Sequence, residues 1–118
     1  MKLAFLGTGS AFSVERYNGA VVVDGRLLFD GGAPLLPHMH RLGLDPAGIE
    51  VIFLTHFHGD HVLGLPPFLL HRAFTAAGRP ILLVGPPGVE ARQILRPAIA
   101  AHVGHRSRAA LDATTVCR

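Results

Sequence analysis

Apolar residues in the first half of the chain fall in short runs broken by turn-forming residues. Leu3-Ala4-Phe5-Leu6, Ala20-Val21-Val22-Val23, Leu27-Leu28-Phe29 and Val51-Ile52-Phe53-Leu54 are too short for helices and rich in β-branched and aromatic residues. They read as strands. Asp24-Gly25 between the second and third is a hairpin-turn dipeptide, because both central residues of the favoured two-residue turn need a positive φ. From Pro34 to Leu42 the pattern changes to a helical one, with Leu35, Leu36 and Met39 on one side and Gly43 as the stop. Leu44 to Gly48 reads as a connector. Pro66-Pro67 suits the first turn of a helix carrying Phe68, Leu69, Leu70 and Phe74 and stopping near Gly78. Ile81 to Val84 is a further strand, and Gly85-Pro86-Pro87-Gly88 opens a helix from Val89 that Pro97 ends or kinks.

With 118 residues, of which 49% are hydrophobic, the chain has material for one modest core and a single domain. No apolar run is long enough to span a bilayer, and Met1-Lys2 leads straight into a strand without a signal-cleavage pattern, so a cytoplasmic location is expected. Cys117 has no second cysteine to pair with and sits beside the C-terminus, where it reads as inert. The net charge of +3 permits an anionic substrate without requiring one. Arg72, Arg79, Arg92, Arg96, Arg106 and Arg108 gather in the second half without interleaved aromatics, and are read as a solvated basic face.

The chemistry concentrates in Thr55-His56-Phe57-His58-Gly59-Asp60-His61, directly after the fourth strand. A strand with Val51, Ile52, Phe53 and Leu54 turned inward ends where these polar residues begin, which puts them on the loop at its C-terminal edge. Imidazoles and a carboxylate are the ligands a zinc-like ion takes. In extended backbone His56 and His58 share a side while Phe57 turns to the packing; Gly59 then lets the chain bend into a helix and offsets Asp60 and His61. The spacing suits two adjacent ions, His56 and His58 on one and Asp60 and His61 on the other, with a water between them acidified into a nucleophile. Asp60 is the residue expected to be both ligand and proton acceptor.

This His-x-His-x-Asp-His pattern resembles the metallo-β-lactamase fold superfamily of metal-dependent hydrolases. Gly7-Thr8-Gly9-Ser10-Ala11-Phe12-Ser13, Arg16-Tyr17-Asn18 and Phe29-Asp30-Gly31-Gly32 bring it nearer the ribonuclease Z and arylsulfatase-like branch. The resemblance implies an α/β fold, namely the N-terminal half of a four-layered αβ/βα sandwich. Residues 1–96 would form a partial domain and residues 97–118 a tail without a recognisable match. It implies two zinc ions, manganese and iron being alternatives, and a phosphodiester or related ester substrate, RNA among the candidates. Transfer-RNA processing, sulfate-ester hydrolysis and cyclic phosphodiester hydrolysis share these opening motifs. Asp30 and Thr55 would support the metal loop from behind by hydrogen bonding.

The family completes its site with a third histidine, a bridging aspartate and a last histidine from a second half. His102, His105 and Asp112 fall at the wrong place to stand in for them. The alternative expectation is therefore a truncated, catalytically incompetent fragment that binds one ion weakly through His56 and His58. A half sandwich also leaves one sheet face uncovered, so homo-oligomerisation or other association through that face is expected. His38, His40 and His71 read as ordinary helix-surface residues. A dinucleotide-binding reading of Gly7-x-Gly9 with Asp30 as the ribose acid fails on Phe12 at the third glycine position and on the hairpin between the two.

Overall fold

The computed structural model of the protein describes residues 1–76 and 79–87. Five strands form one sheet in chain order: β1 (Leu3–Gly7), β2 (Ala20–Val23), β3 (Leu27–Phe29), β4 (Val51–Phe53) and β5 (Leu82–Val84). β1, β2 and β3 are antiparallel neighbours, and β3, β4 and β5 run parallel. The β2–β3 turn closes with Arg26 N–H donating to Val23 O at 3.0 Å, and Asp24 and Gly25 take φ values of 50° and 70°. Two successive positive φ values match the right-handed twist of the flanking strands, as the Asp-Gly dipeptide requires.

The parallel strands need crossovers, and these carry the helices. α1 (Leu35–Arg41) links β3 to β4 and is followed by a 3-10 turn at Pro46–Gly48, a feature the connector reading did not anticipate. Asp45 caps that turn, its carboxylate accepting from Ala47 N–H at 2.9 Å. α2 (Gly59–Val62) and α3 (Leu65–Thr75) link β4 to β5, with the two prolines in the first turn of α3. α1 touches both β1 and α3. Leu35, Met39, Leu65 and Phe68 from the helices pack on Leu6, Val22, Leu28, Ile52 and Leu83 from the sheet in one buried cluster. Phe57 and Leu44 add to its edge.

Two readings need correcting. Val51 to Leu54 do not all point inward: Ile52 and Leu54 are buried, while Val51 and Phe53 lie on the other side of the sheet and stay half-exposed. Strand pleating imposes that alternation whatever the run's composition. Arg72 is not on a solvated face but 5% exposed in α3, donating to Pro46 O at 2.7 Å and to Arg79 O at 3.4 Å. Burial, more than the neighbouring Arg79 charge, holds its guanidinium below its ordinary pKa. It ties the 3-10 turn to the α3–β5 connection, a role that counting charges along the chain does not reveal.

The glycine loop after β1 leads through turns into the antiparallel β2, with no helix in residues 8–19, so the dinucleotide topology is absent there. Among the described residues no helix is long and apolar enough to cross a membrane. The expected helix after Gly88, the tail from residue 97, His102, His105, Asp112 and Cys117 lie outside the described residues.

Candidate metal centre

β3 and β4 are parallel and in register, Phe29 opposite Phe53, so Asp30 and the Leu54-Thr55 step leave the sheet side by side at its C-terminal edge. That edge is where open α/β sheets place their sites. Asp30 N–H still donates to Phe53 O at 2.8 Å, prolonging the ladder by one residue. It does so at φ 55°, in the left-handed region a non-glycine residue adopts only when its surroundings hold it there. The carboxylate supplies that hold. Asp30 Oδ1 accepts from Thr55 N–H at 2.9 Å, and Oδ2 faces Thr55 Oγ1 at 2.9 Å and His61 Nδ1 at 2.8 Å. A pair of residues 25 positions apart is thus the keystone of the loop.

The loop that follows is fixed by backbone contact. Gly31 N–H donates to His61 O at 2.7 Å, and Gly64 N–H returns a bond to Gly31 O at 2.7 Å. The approach is so close that a Cβ on Gly32 would sit 1.6 Å from Asp60 O, and one on Gly64 would sit 2.0 Å from Ala33 O. Gly31-Gly32 therefore serves as the bed on which α2 lies, more than as a turn after β3. Gly64 went unnoticed in the sequence. Its neighbours Leu63 and Leu65 give no hint that a backbone 33 residues back presses against it.

The four ligand-type side chains meet. His56 Nε2 lies 3.1 Å from His58 Nδ1, and His61 Nε2 lies 3.3 Å from Asp60 Oδ2. The His56 and His61 rings approach with centroids 4.1 Å apart. One ligand atom each from His56, His58 and Asp60 falls within a 4.8 Å span. Asp60 therefore reaches both the His56–His58 pair and His61, which the assignment of separate pairs to separate ions did not include. Thr55 Oγ1 also meets His56 Nδ1 at 3.0 Å.

The donor set fits a divalent cation. His61 Nδ1 faces an acceptor-only carboxylate and so carries a hydrogen there; in the neutral ring Nε2 is then the lone pair, turned towards the Asp60 carboxylate. A cation beside that lone pair and the Asp60 carboxylate oxygen, 3.3 Å apart, would be bound by both. The 3.1 Å separation of His56 Nε2 and His58 Nδ1 is close to the edge of a tetrahedron of ligands with metal–nitrogen bonds of about 2.0–2.1 Å.

The other histidines among the described residues stay apart from this cluster in their own contacts. His38 is half-buried with its ring edge-on to Tyr17 at 4.5 Å, His40 is exposed, and His71 Nδ1 lies 3.3 Å from Thr75 Oγ1. Asn18 Nδ2 donates to Ser10 O at 2.9 Å, closing the base of the loop after β1 next to Gly32.

Comparison with known proteins adds the following. A family profile described as "Anti-Pycsar protein Apyc1" matches residues 1–108. A ribonuclease Z of Shouchella clausii is 39% identical over 98 residues, covering 77% of this chain and 31% of that protein. A ribonuclease BN of Cronobacter sakazakii is 38% identical over 96 residues, covering 75% of this chain and 32% of that protein. The crystal structure of human tRNase Z, short form (ELAC1), superposes with a TM-score of 0.79 at 32% identity, covering 99% of this chain and 45% of that one. The metallo-β-lactamase fold protein YhfI from Bacillus subtilis superposes at 0.64 and 15% identity, covering 98% and 44%, a likeness of fold alone.

The chain thus spans about a third of the length of the curated relatives it matches. The expected resemblance to the ribonuclease Z branch and the expected α/β architecture of part of a metallo-β-lactamase sandwich both hold. That fold family implies a divalent metal, for which the His56, His58 and Asp60 group is present. By the match over residues 1–108, on a metallo-β-lactamase scaffold, the chain belongs to the family described as anti-Pycsar protein Apyc1.

Proposed function

We propose that the protein is a metal-dependent phosphodiesterase, acting on RNA or a related phosphodiester, with residues 1–96 as part of its catalytic domain. One observation carries this reading. Two pairs of ligand-type atoms, His56 Nε2 with His58 Nδ1 and His61 Nε2 with Asp60 Oδ2, face each other at 3.1 and 3.3 Å on a loop held by backbone hydrogen bonds. The names of the relatives, ribonuclease Z and ribonuclease BN, support RNA as the polymer.

In this proposal His56, His58, Asp60 and His61 hold zinc, in one or two ions. Bound there, zinc would polarise a phosphoryl oxygen and make a neighbouring water acidic. Asp60 takes the proton of the attacking water, its carboxylate lying with His56 and His58 within a 4.8 Å span. Asp30 is already committed to Thr55 and His61 and serves to hold the loop. A cytoplasmic location and self-association through the uncovered sheet face belong to the same reading.

Metal content per chain, measured by elemental mass spectrometry on protein purified without chelators, comes first. Near-stoichiometric zinc that disappears in a His56→Ala, His58→Ala double variant is the expected result. Zinc-loaded protein should then hydrolyse bis(p-nitrophenyl) phosphate in preference to p-nitrophenyl sulfate, and Asp60→Asn should lower kcat by about 10²–10⁴-fold. Full zinc with no phosphodiester turnover on the model ester or on precursor transfer RNA would replace the proposal with the incompetent metal-binding chain.

A further inference from the structure

Asp30 has one carboxylate and stands near two imidazoles, which it reaches differently. His61 Nδ1 meets Oδ2 directly at 2.8 Å. His56 Nδ1 instead meets Thr55 Oγ1 at 3.0 Å, and that same oxygen lies 2.9 Å from Asp30 Oδ2 and 3.1 Å from Oδ1. Counting hydrogens fixes the direction of the chain. An ionised carboxylate accepts only, and a threonine hydroxyl has one hydrogen to give. With its lone pairs turned to Asp30 the hydroxyl would face a carboxylate oxygen at 2.9 Å with nothing between, so the hydrogen goes to Asp30. Only a lone pair then remains for His56, whose Nδ1 must bring the hydrogen. His56 Nε2 is left bare, on the side where His58 lies.

We propose that the Thr55 hydroxyl is a one-way relay through which Asp30 sets the tautomer of His56, so that a single carboxylate presents Nε2 of both His56 and His61 to the metal centre. Thr55 is a positioning residue in this account, its hydroxyl acting on the metal centre through His56 while its backbone N–H binds Asp30. Without the hydroxyl the neutral His56 ring is free to place its proton on Nε2, which closes that atom to a cation. The proposal takes its functional meaning from the reading of these side chains as zinc ligands, but the tautomer itself is a property of the metal-free chain.

The test is histidine side-chain NMR on the full-length, metal-free protein with isotope-labelled imidazoles, joined to zinc affinity measured by competition with a chromophoric chelator. In the unaltered protein His56 should carry its hydrogen on Nδ1. Thr55→Val, which replaces the hydroxyl by a methyl of similar size, should shift His56 towards the Nε2–H tautomer and weaken zinc binding about 10–100-fold. Thr55→Ser should restore both. Finding His56 protonated on Nε2 in the unaltered protein overturns the proposal without any variant, so a Thr55→Val chain that fails to fold does not shield it. A folded Thr55→Val protein with unchanged tautomer and unchanged zinc affinity also overturns it. Absence of phosphodiesterase activity would leave the tautomer result standing, and the two failures are thereby separable.

Discussion

The two faces of the sheet are built from equally apolar residues and live in different surroundings. On one, Leu6, Val22, Leu28, Ile52 and Leu83 lie under α1 and α3 and are buried. On the other, cross-strand register lines up Leu3, Val23, Leu27, Val51 and Leu82 in one row and Phe5, Val21, Phe29, Phe53 and Val84 in the next. None of these ten is buried, and Phe5 is 59% exposed. Phe29 and Phe53 stack on each other at 4.7 Å. Runs such as Ala20-Val21-Val22-Val23 are what strands buried on both faces look like, whereas a solvated face alternates with polar residues. Sequence composition therefore specifies two covers, and the helices supply one. The candidate metal loop hangs from the edge shared by both faces, tied there by Asp30 and by the backbone bonds of Gly31.

The largest effect expected from that difference is in stability. Phe68 is fully buried where α3 meets the sheet, and Phe68→Ala should cost about 3–5 kcal/mol. Phe5→Ala on the open face should cost under about 1 kcal/mol. Urea unfolding of the two variants side by side measures the gap, and equal losses would mean that something covers Phe5 in solution. Next comes the shared edge. Asp30→Asn keeps the shape and tolerates the positive φ, but sets an amide donor against one of the three donors now served by the carboxylate. A loss of about 1–3 kcal/mol is expected, together with weaker zinc binding. Preserved zinc affinity would detach the loop from its support.

Self-association probes the open face itself. Light scattering after size exclusion should show the unaltered chain forming dimers or larger species. Phe5→Lys with Phe53→Lys should raise the dissociation constant at least about tenfold by setting charge into the apolar rows. A monodisperse, cooperatively unfolding wild-type monomer would sink this expectation.

Legibility along the chain followed the range of the interactions. Strands, the Asp24-Gly25 turn, α1 with its Gly43 stop and the Pro66-Pro67 start of α3 were readable because each depends on residues within a few positions. The grouping of the candidate ligands was readable for the same reason, since His56, His58, Asp60 and His61 are neighbours in sequence. Strand pairing hides the rest. That Thr55 would bond both oxygens of Asp30, that Gly32 would lie against Asp60 O, and that Arg72 would turn inward to Pro46 O all need the parallel β3–β4 register. Arg72 misled because charge suggests solvent, while a guanidinium can satisfy backbone carbonyls inside a fold. Val51 and Phe53 misled because a continuous apolar run conceals the pleat that divides it.

A further small effect separates conformation from contact. Gly25 sits at φ 70° in the β2–β3 turn, and an added Cβ there would meet nothing within 4 Å. Gly25→Ala should therefore cost only the penalty of a left-handed alanine, about 1 kcal/mol, at the end of the sheet away from the metal loop. The unfolding midpoint should fall slightly while zinc affinity stays unchanged. Gly32→Ala poses the opposite problem. Its new methyl would be driven into Asp60 O, so the ligand loop must move and zinc affinity should drop even if much of the fold survives. Measuring both quantities for both variants distinguishes a sheet that merely holds together from one that holds its metal edge in place. If Gly25→Ala weakened zinc binding as much as Gly32→Ala did, the loop's geometry would depend on the stability of the whole sheet and not on the backbone bed beneath α2.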